Sequence, residues 1–203
     1  MTTFPPIPGW DGIHPAMVQF PIVLLFTAPL LLLVSLFAQR TWRTWAIAAL
    51  IMMALGSFAA WLAVASGHAA GQLVDKTPVL ERAIARHEAL GALTRTLFTI
   101  LTLLFAALLL LPAAIKKPLP TAARASLHAV FLVVYLGCTV AIAGAAYRGG
   151  RLVHELGVRA MVDRADQFAV LQAEEQAMPS GERSPAAPDA PRPSTPPPDR
   201  KAP

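Results

Sequence analysis

Four of the five histidines, His14, His68, His87 and His154, have the widest chemical reach in this chain, because neutral imidazole ligates metal ions and haem iron. His14 stands against Pro15 at the edge of the apolar run "AMVQFPIVLLF". His87 is followed by Glu88, with Gly91 and Arg95 one and two turns further along nearly the same helical face. His154 lies one turn after Gly150, with Tyr147 and Arg151 behind it. A glycine leaves room beside an imidazole for a flat group, and Arg95 or Arg151 can pair with a carboxylate or a haem propionate. The chemistry these types allow is a metal ion or a b-type haem held by His14 and His87, with His154 as a third candidate and His68 as a further metal ligand. The spacing itself is unspecific. There is no His-x-x-x-His pair, and no Cys-x-x-Cys-His attachment, so any haem is non-covalent. The competing reading takes these as interfacial histidines with their polar edges in headgroups or water. In it, Arg95 snorkels or pairs with Glu88, and Arg151 pairs with Glu155 at i, i+4. His68, beside Gly67 and Gly71, and His128 suit that reading.

Membrane helices must position these residues. The 203-residue chain is 55% hydrophobic and 14% charged, with a mean hydropathy of +0.53, too apolar for an ordinary soluble domain. About 20 helical residues cross a hydrocarbon core of about 30 Å, and four stretches qualify: 18–38, 45–66, 90–113 and 127–147. The expected fold is an all-α integral membrane protein, an antiparallel four-helix transmembrane bundle with a C-terminal amphipathic helix and a disordered tail. No Lys or Arg precedes the first stretch, which therefore reads as a retained span rather than a signal peptide. With four spans, His14, His68, His87 and His154 share one side and only His128 lies at the other, whichever way the protein is inserted.

Residues 1–17 form a leader rich in turn residues, and Pro15 is suited to the first helical position. Pro21 and Pro29 lie inside the first helix. Each frees a carbonyl that lipid cannot satisfy, so a neighbouring helix, hydroxyl or water must. The connection "AQRTWRTW" makes a tight basic hairpin with interfacial Trp residues. From Pro78 the pattern predicts a helix running on into the third span, and the prolines of "KKPLPTAARAS" end it. Gly137, Ala141, Ala145 and Gly149 recur every four residues, a ridge that invites close helix approach or an oligomer contact. Residues 148–177 read as an amphipathic extension interrupted near Gly157, and 178–203 as a proline-rich disordered tail. Cys138 is the single cysteine, which excludes an intramolecular disulfide and a thiolate cluster.

The net charge of +5 is concentrated beside the spans and points to membrane topology and lipid contact, with no nucleic-acid partner. The leader has no Lys or Arg, whereas the first loop has Arg40 and Arg43 and the third has Lys116, Lys117 and Arg124, which favours those loops inside and both termini outside. A raw count, with seven cations on the opposite side, runs the other way, but those are interleaved with acids. The serine-nucleophile elbow, the phosphate-binding glycine loop and the His-Glu-x-x-His zinc helix are all missing. No carboxylate lies within the four spans and no inverted repeat is evident, which argues against a proton pump, cation channel or transporter.

The opening "DGIHPAMVQFPIVLLF", with "HEALGALTR" and "GGRLVHELGV", resembles a bacterial family of predicted four-span membrane proteins, domain of unknown function 2231. The resemblance covers about residues 12–160. It picks out His14, Pro15, Val18, Phe20, Pro21, Ile22, His87, Gly149, Gly150, Leu152, Val153, Gly157 and Val158. Gln19 and Leu156 stand where relatives often carry further histidines, so no ligand pair can use those positions here. The resemblance implies a bacterial inner-membrane location. By analogy with domains associated with Rieske or cytochrome modules, it also implies electron transfer with a redox partner. Two functions follow as expectations: a haem- or metal-binding redox protein, and a cofactor-free scaffold in which His14 caps the first helix.

Overall fold

The structure, a computed structural model, describes residues 10, 12–74, 77–117 and 119–158. Most of the leader, the extension from residue 159 and the tail 178–203 lie outside the described residues. Five helices make four spans: α1 His14–Met17, α2 Gln19–Phe37, α3 Trp42–Gln72, α4 Pro78–Ala114 and α5 Thr121–His154, with no strand among the described residues. Together α1 and α2 form the first span, 24 residues long. The ladder skips at Val18, which keeps helical angles of φ −66° and ψ −22°. Pro21 contributes to the skip, since it has no N–H to offer the Met17 carbonyl.

The first helix begins one residue before Pro15, and its N-cap is Ile13 with no side-chain cap. His14 therefore does not cap it. As expected, a helix starting at Pro78 runs without interruption through the third span. The 37 residues of α4 rise about 55 Å against a core of about 30 Å, so the helix projects well beyond the apolar layer. α5 likewise continues past Tyr147 to His154. The chain then turns at Gly157, whose φ of +67° suits a residue without Cβ, and Val158 N–H donates back to the Leu152 carbonyl.

Only 17–33% of each apolar window is buried within the chain, which leaves most of the hydrophobic surface for lipid or further helices to cover. Phe20, Val23 and Phe26 on α2, and Val133 and Val140 on α5, face outward. The chain is a membrane protein with four helices long and apolar enough to cross the bilayer.

The buried positions reveal a same-sense repeat of two hairpins. Leu25, Ala28 and Leu32 follow His14 at the same intervals at which Phe98, Leu101 and Phe105 follow His87, and all six are buried. Ala46, Met53 and Ala60 precede Gly67 as His128, Tyr135 and Ile142 precede Gly149, again all buried. The halves share burial positions and not residue identities.

Polar bonds tie the helices where water cannot. Pro29 leaves the Leu25 carbonyl without its intrahelical partner, and the Tyr135 hydroxyl donates to it at 2.8 Å from α5. Ser57 on α3 donates to the Phe98 carbonyl at 3.0 Å and lies 2.9 Å from Thr102 Oγ1 on α4. Tyr135→Phe keeps the ring and orphans a buried carbonyl. It should therefore destabilise the bundle by about 1–3 kcal/mol, seen as a lowered Tm in detergent, whereas Thr139→Val, at an exposed hydroxyl bonded within its own helix, should change Tm little.

Candidate functional site

Helix register brings His14 and His87 together at one end of the bundle. Their ring centroids are 6.4 Å apart and their planes are inclined by 77°. Each ring is seated on a glycine of the second helix of its own hairpin. A Cβ on Gly67 would come within 2.8 Å of His14 Cε1, and one on Gly149 within 3.0 Å of His87 Cε1. Both seats therefore exclude any side chain while the imidazoles stay in place.

The hydrogen bonds of the two rings match as well. His87 Nδ1 lies 3.1 Å from the Ala145 carbonyl, which can only accept, so Nδ1 carries the proton. His14 Nδ1 lies 3.2 Å from Ser66 Oγ, and that hydroxyl donates to the Ala63 carbonyl at 3.1 Å, so it accepts from His14. Ala63 precedes Gly67 as Ala145 precedes Gly149, so the repeat extends to the site. In both rings the lone pair of the neutral imidazole is left on Nε2.

The other candidates are disposed differently. His68 Nδ1 faces Glu88 Oε1 at 3.6 Å, and Glu88 rests over Gly71. His154 is exposed on the last turn of α5 and lines a shallow depression with Tyr147, Gly150, Arg151 and Glu155. Arg151 donates to Glu155 at 2.6 Å, the expected i, i+4 pair. Arg95 stacks on Trp61, with Cζ 4.1 Å from the ring centroid, and its buried Nε has no hydrogen-bond partner among the described residues. Gly91 faces Val64 of α3, so the glycine beside His87 is Gly149 of another helix.

Thr94 lies two turns after His87 on the same face and is buried, yet its hydroxyl is unpartnered among the described residues. Thr96, Thr99 and Thr102 each donate to the carbonyl four residues back, so Thr94 is the exception on this helix. Ser66, Trp61 and Thr94 escaped sequence reasoning because their roles depend on contacts between helices. Gly67, a small residue next to His68, was the signal available in the sequence.

The small-residue ridge of α5 packs partly within the chain. Gly149 and the Ala145 carbonyl receive His87, whereas a Cβ on Gly137 would meet nothing within 4 Å.

No curated protein and no solved structure matches the chain. The family model described as predicted membrane protein (DUF2231) matches residues 11–161, which include all four spans, both paired histidines and both glycine seats. The chain thus belongs to the DUF2231 family of predicted membrane proteins.

Proposed function

We propose that this protein is a redox carrier of the membrane that holds a b-type haem, or a bare transition-metal ion, between His14 and His87 and exchanges electrons with a partner protein. The observation that carries the reading is the imidazole pair. Their ring centroids lie 6.4 Å apart, a spacing at which both imidazoles could reach one metal centre through metal–nitrogen bonds of about 2 Å. A bare ion wants three or four protein ligands. Among the described residues no group of three His, Cys, Asp or Glu side chains is gathered, and a two-imidazole donor set suits haem better.

When bound, haem supplies one-electron chemistry. The protein's part is positional. Ser66 and the Ala145 carbonyl hold the two Nδ1–H groups, which fixes the tautomer and raises ligand basicity. Arg95, with its unpartnered Nε, is the candidate for a propionate, and the orphaned Thr94 hydroxyl lies on the same face as His87. Arg151 is engaged by Glu155, and His68 and His154 are left as surface metal ligands. The location proposed is the bacterial inner membrane with both termini outside, supported by the cations of the first and third loops. Self-association through α5 is proposed for its open Gly137 end.

A cofactor-free scaffold is the second reading, favoured by one observation: each histidine also bonds two helices of its own hairpin together. Reduced-minus-oxidised spectra and metal analysis of protein purified from haem-supplemented membranes separate the two. A stoichiometric Soret band or metal content is the expected result, and the absence of both would leave the scaffold.

A further inference from the structure

The opposite end of the bundle carries a second, chemically distinct cavity. It has a volume of about 440 Å³, within the usual range for small-ligand sites, and Trp42, Arg43, Pro112, Lys116, Arg124 and His128 line it. From these residues we infer that the cavity binds a phosphate group, carried either by an anionic phospholipid headgroup or by a free phosphate ion.

Residues 12–74 and 89–154 contain no Asp or Glu, so Arg40, Arg43, Lys116, Lys117 and Arg124 share one end of the bundle with no carboxylate from either hairpin. Among the described residues none of the five forms an ion pair. Three cations around a concave apolar wall, uncompensated and at the edge of a low-dielectric layer, make a strong anion field.

His128 is 3% exposed and has no hydrogen-bond partner among the described residues, yet it borders the cavity. Trp42 and Phe105 pack against its ring at centroid distances of 5.9 and 5.5 Å. Arg124 sits over Trp42, with Cζ 3.9 Å from the ring centroid, which holds its guanidinium donors at the rim. Lys116 adopts a φ of 54°, a left-handed conformation that glycine would take without cost. That backbone ends α4, with Lys117 N–H donating to the Pro112 carbonyl at 3.0 Å. A lysine held in a glycine position on the cavity wall is consistent with selection for its ammonium over local stability. The N-termini of α3 and α5 lie at this end, and neither has a side-chain cap, so their N–H groups add to the positive potential.

The test uses the full chain in phosphatidylcholine nanodiscs or neutral detergent. In one arm, native mass spectrometry follows titration with phosphatidylglycerol against phosphatidylcholine. In the other, calorimetry follows titration with inorganic phosphate. Saturable binding in either arm is expected, and which arm responds identifies the source of the phosphate group. Arg124→Gln with Lys116→Gln should weaken binding at least tenfold, while Arg40→Gln with Lys117→Gln, equal in charge and on the same face outside the cavity lining, should leave it within twofold. Lys116→Gly guards against misfolding: it should raise Tm while weakening binding several-fold. No saturable binding in either arm, or equal losses from the two double variants, overturns the inference.

Discussion

Haem-loaded protein carrying His14→Ala or His87→Ala is expected to change from a low-spin, six-coordinate spectrum to a five-coordinate one, and the double variant to lose its Soret band altogether. Each imidazole has its Nδ1 proton committed to a neighbouring helix, which leaves its Nε2 lone pair for a metal, so on the haem reading either ring alone would supply one ligand. His68→Ala and His154→Ala should leave the spectrum unchanged, because one faces Glu88 and the other is exposed at the end of α5. Ser66→Ala leaves both imidazoles in place and removes the acceptor that orients His14. Loss of such an outer partner typically costs about 10–100-fold in affinity, and the midpoint potential should shift with it. Survival of the full band in the double variant would show that the ligands lie elsewhere.

The sequence already contained the spans, the common side of four histidines and the need for a partner at Pro29, because each follows from counting residues along one helix. Contacts between helices were not legible in the same way. Gly91 stands one turn from His87, yet the glycine that meets the ring is Gly149, since helix rotation turns Gly91 toward Val64. Arg95 has Glu88 within two turns on its own helix, and stacks instead on Trp61 across the α3–α4 contact. His128 read as an interfacial ring and is a buried wall of the second cavity. The repeat stayed hidden for a related reason. Lipid and partner helices constrain where a residue is buried more than which residue it is, so Leu25 and Phe98, or Ala46 and His128, occupy matching positions without resembling each other.

Gly67→Ala should destabilise the native protein and stabilise a His14→Ala variant, a reversal of sign that no general packing defect produces. In the native background the new methyl would lie 2.8 Å from Cε1, 3.1 Å from Nδ1 and 3.3 Å from Nε2 of His14. Those contacts displace the ring and break its bond to Ser66, at a cost of about 1–3 kcal/mol for overpacking. With His14 reduced to alanine the obstruction is gone, and alanine is favoured over glycine inside a helix by about 1 kcal/mol. Thermal unfolding in detergent, followed by near-UV circular dichroism, reads both signs. Gly149→Ala should behave likewise toward His87→Ala but more mildly, because its closest approach is 3.0 Å. The crossed pair, Gly67→Ala with His87→Ala, probes the contact between the hairpins. Independent sites add to within about 0.5 kcal/mol, so a larger deviation would measure coupling through the 6.4 Å imidazole pair itself. Equal destabilisation by Gly67→Ala in both backgrounds would mean that the glycine serves helix packing at large and not the seat of the ring.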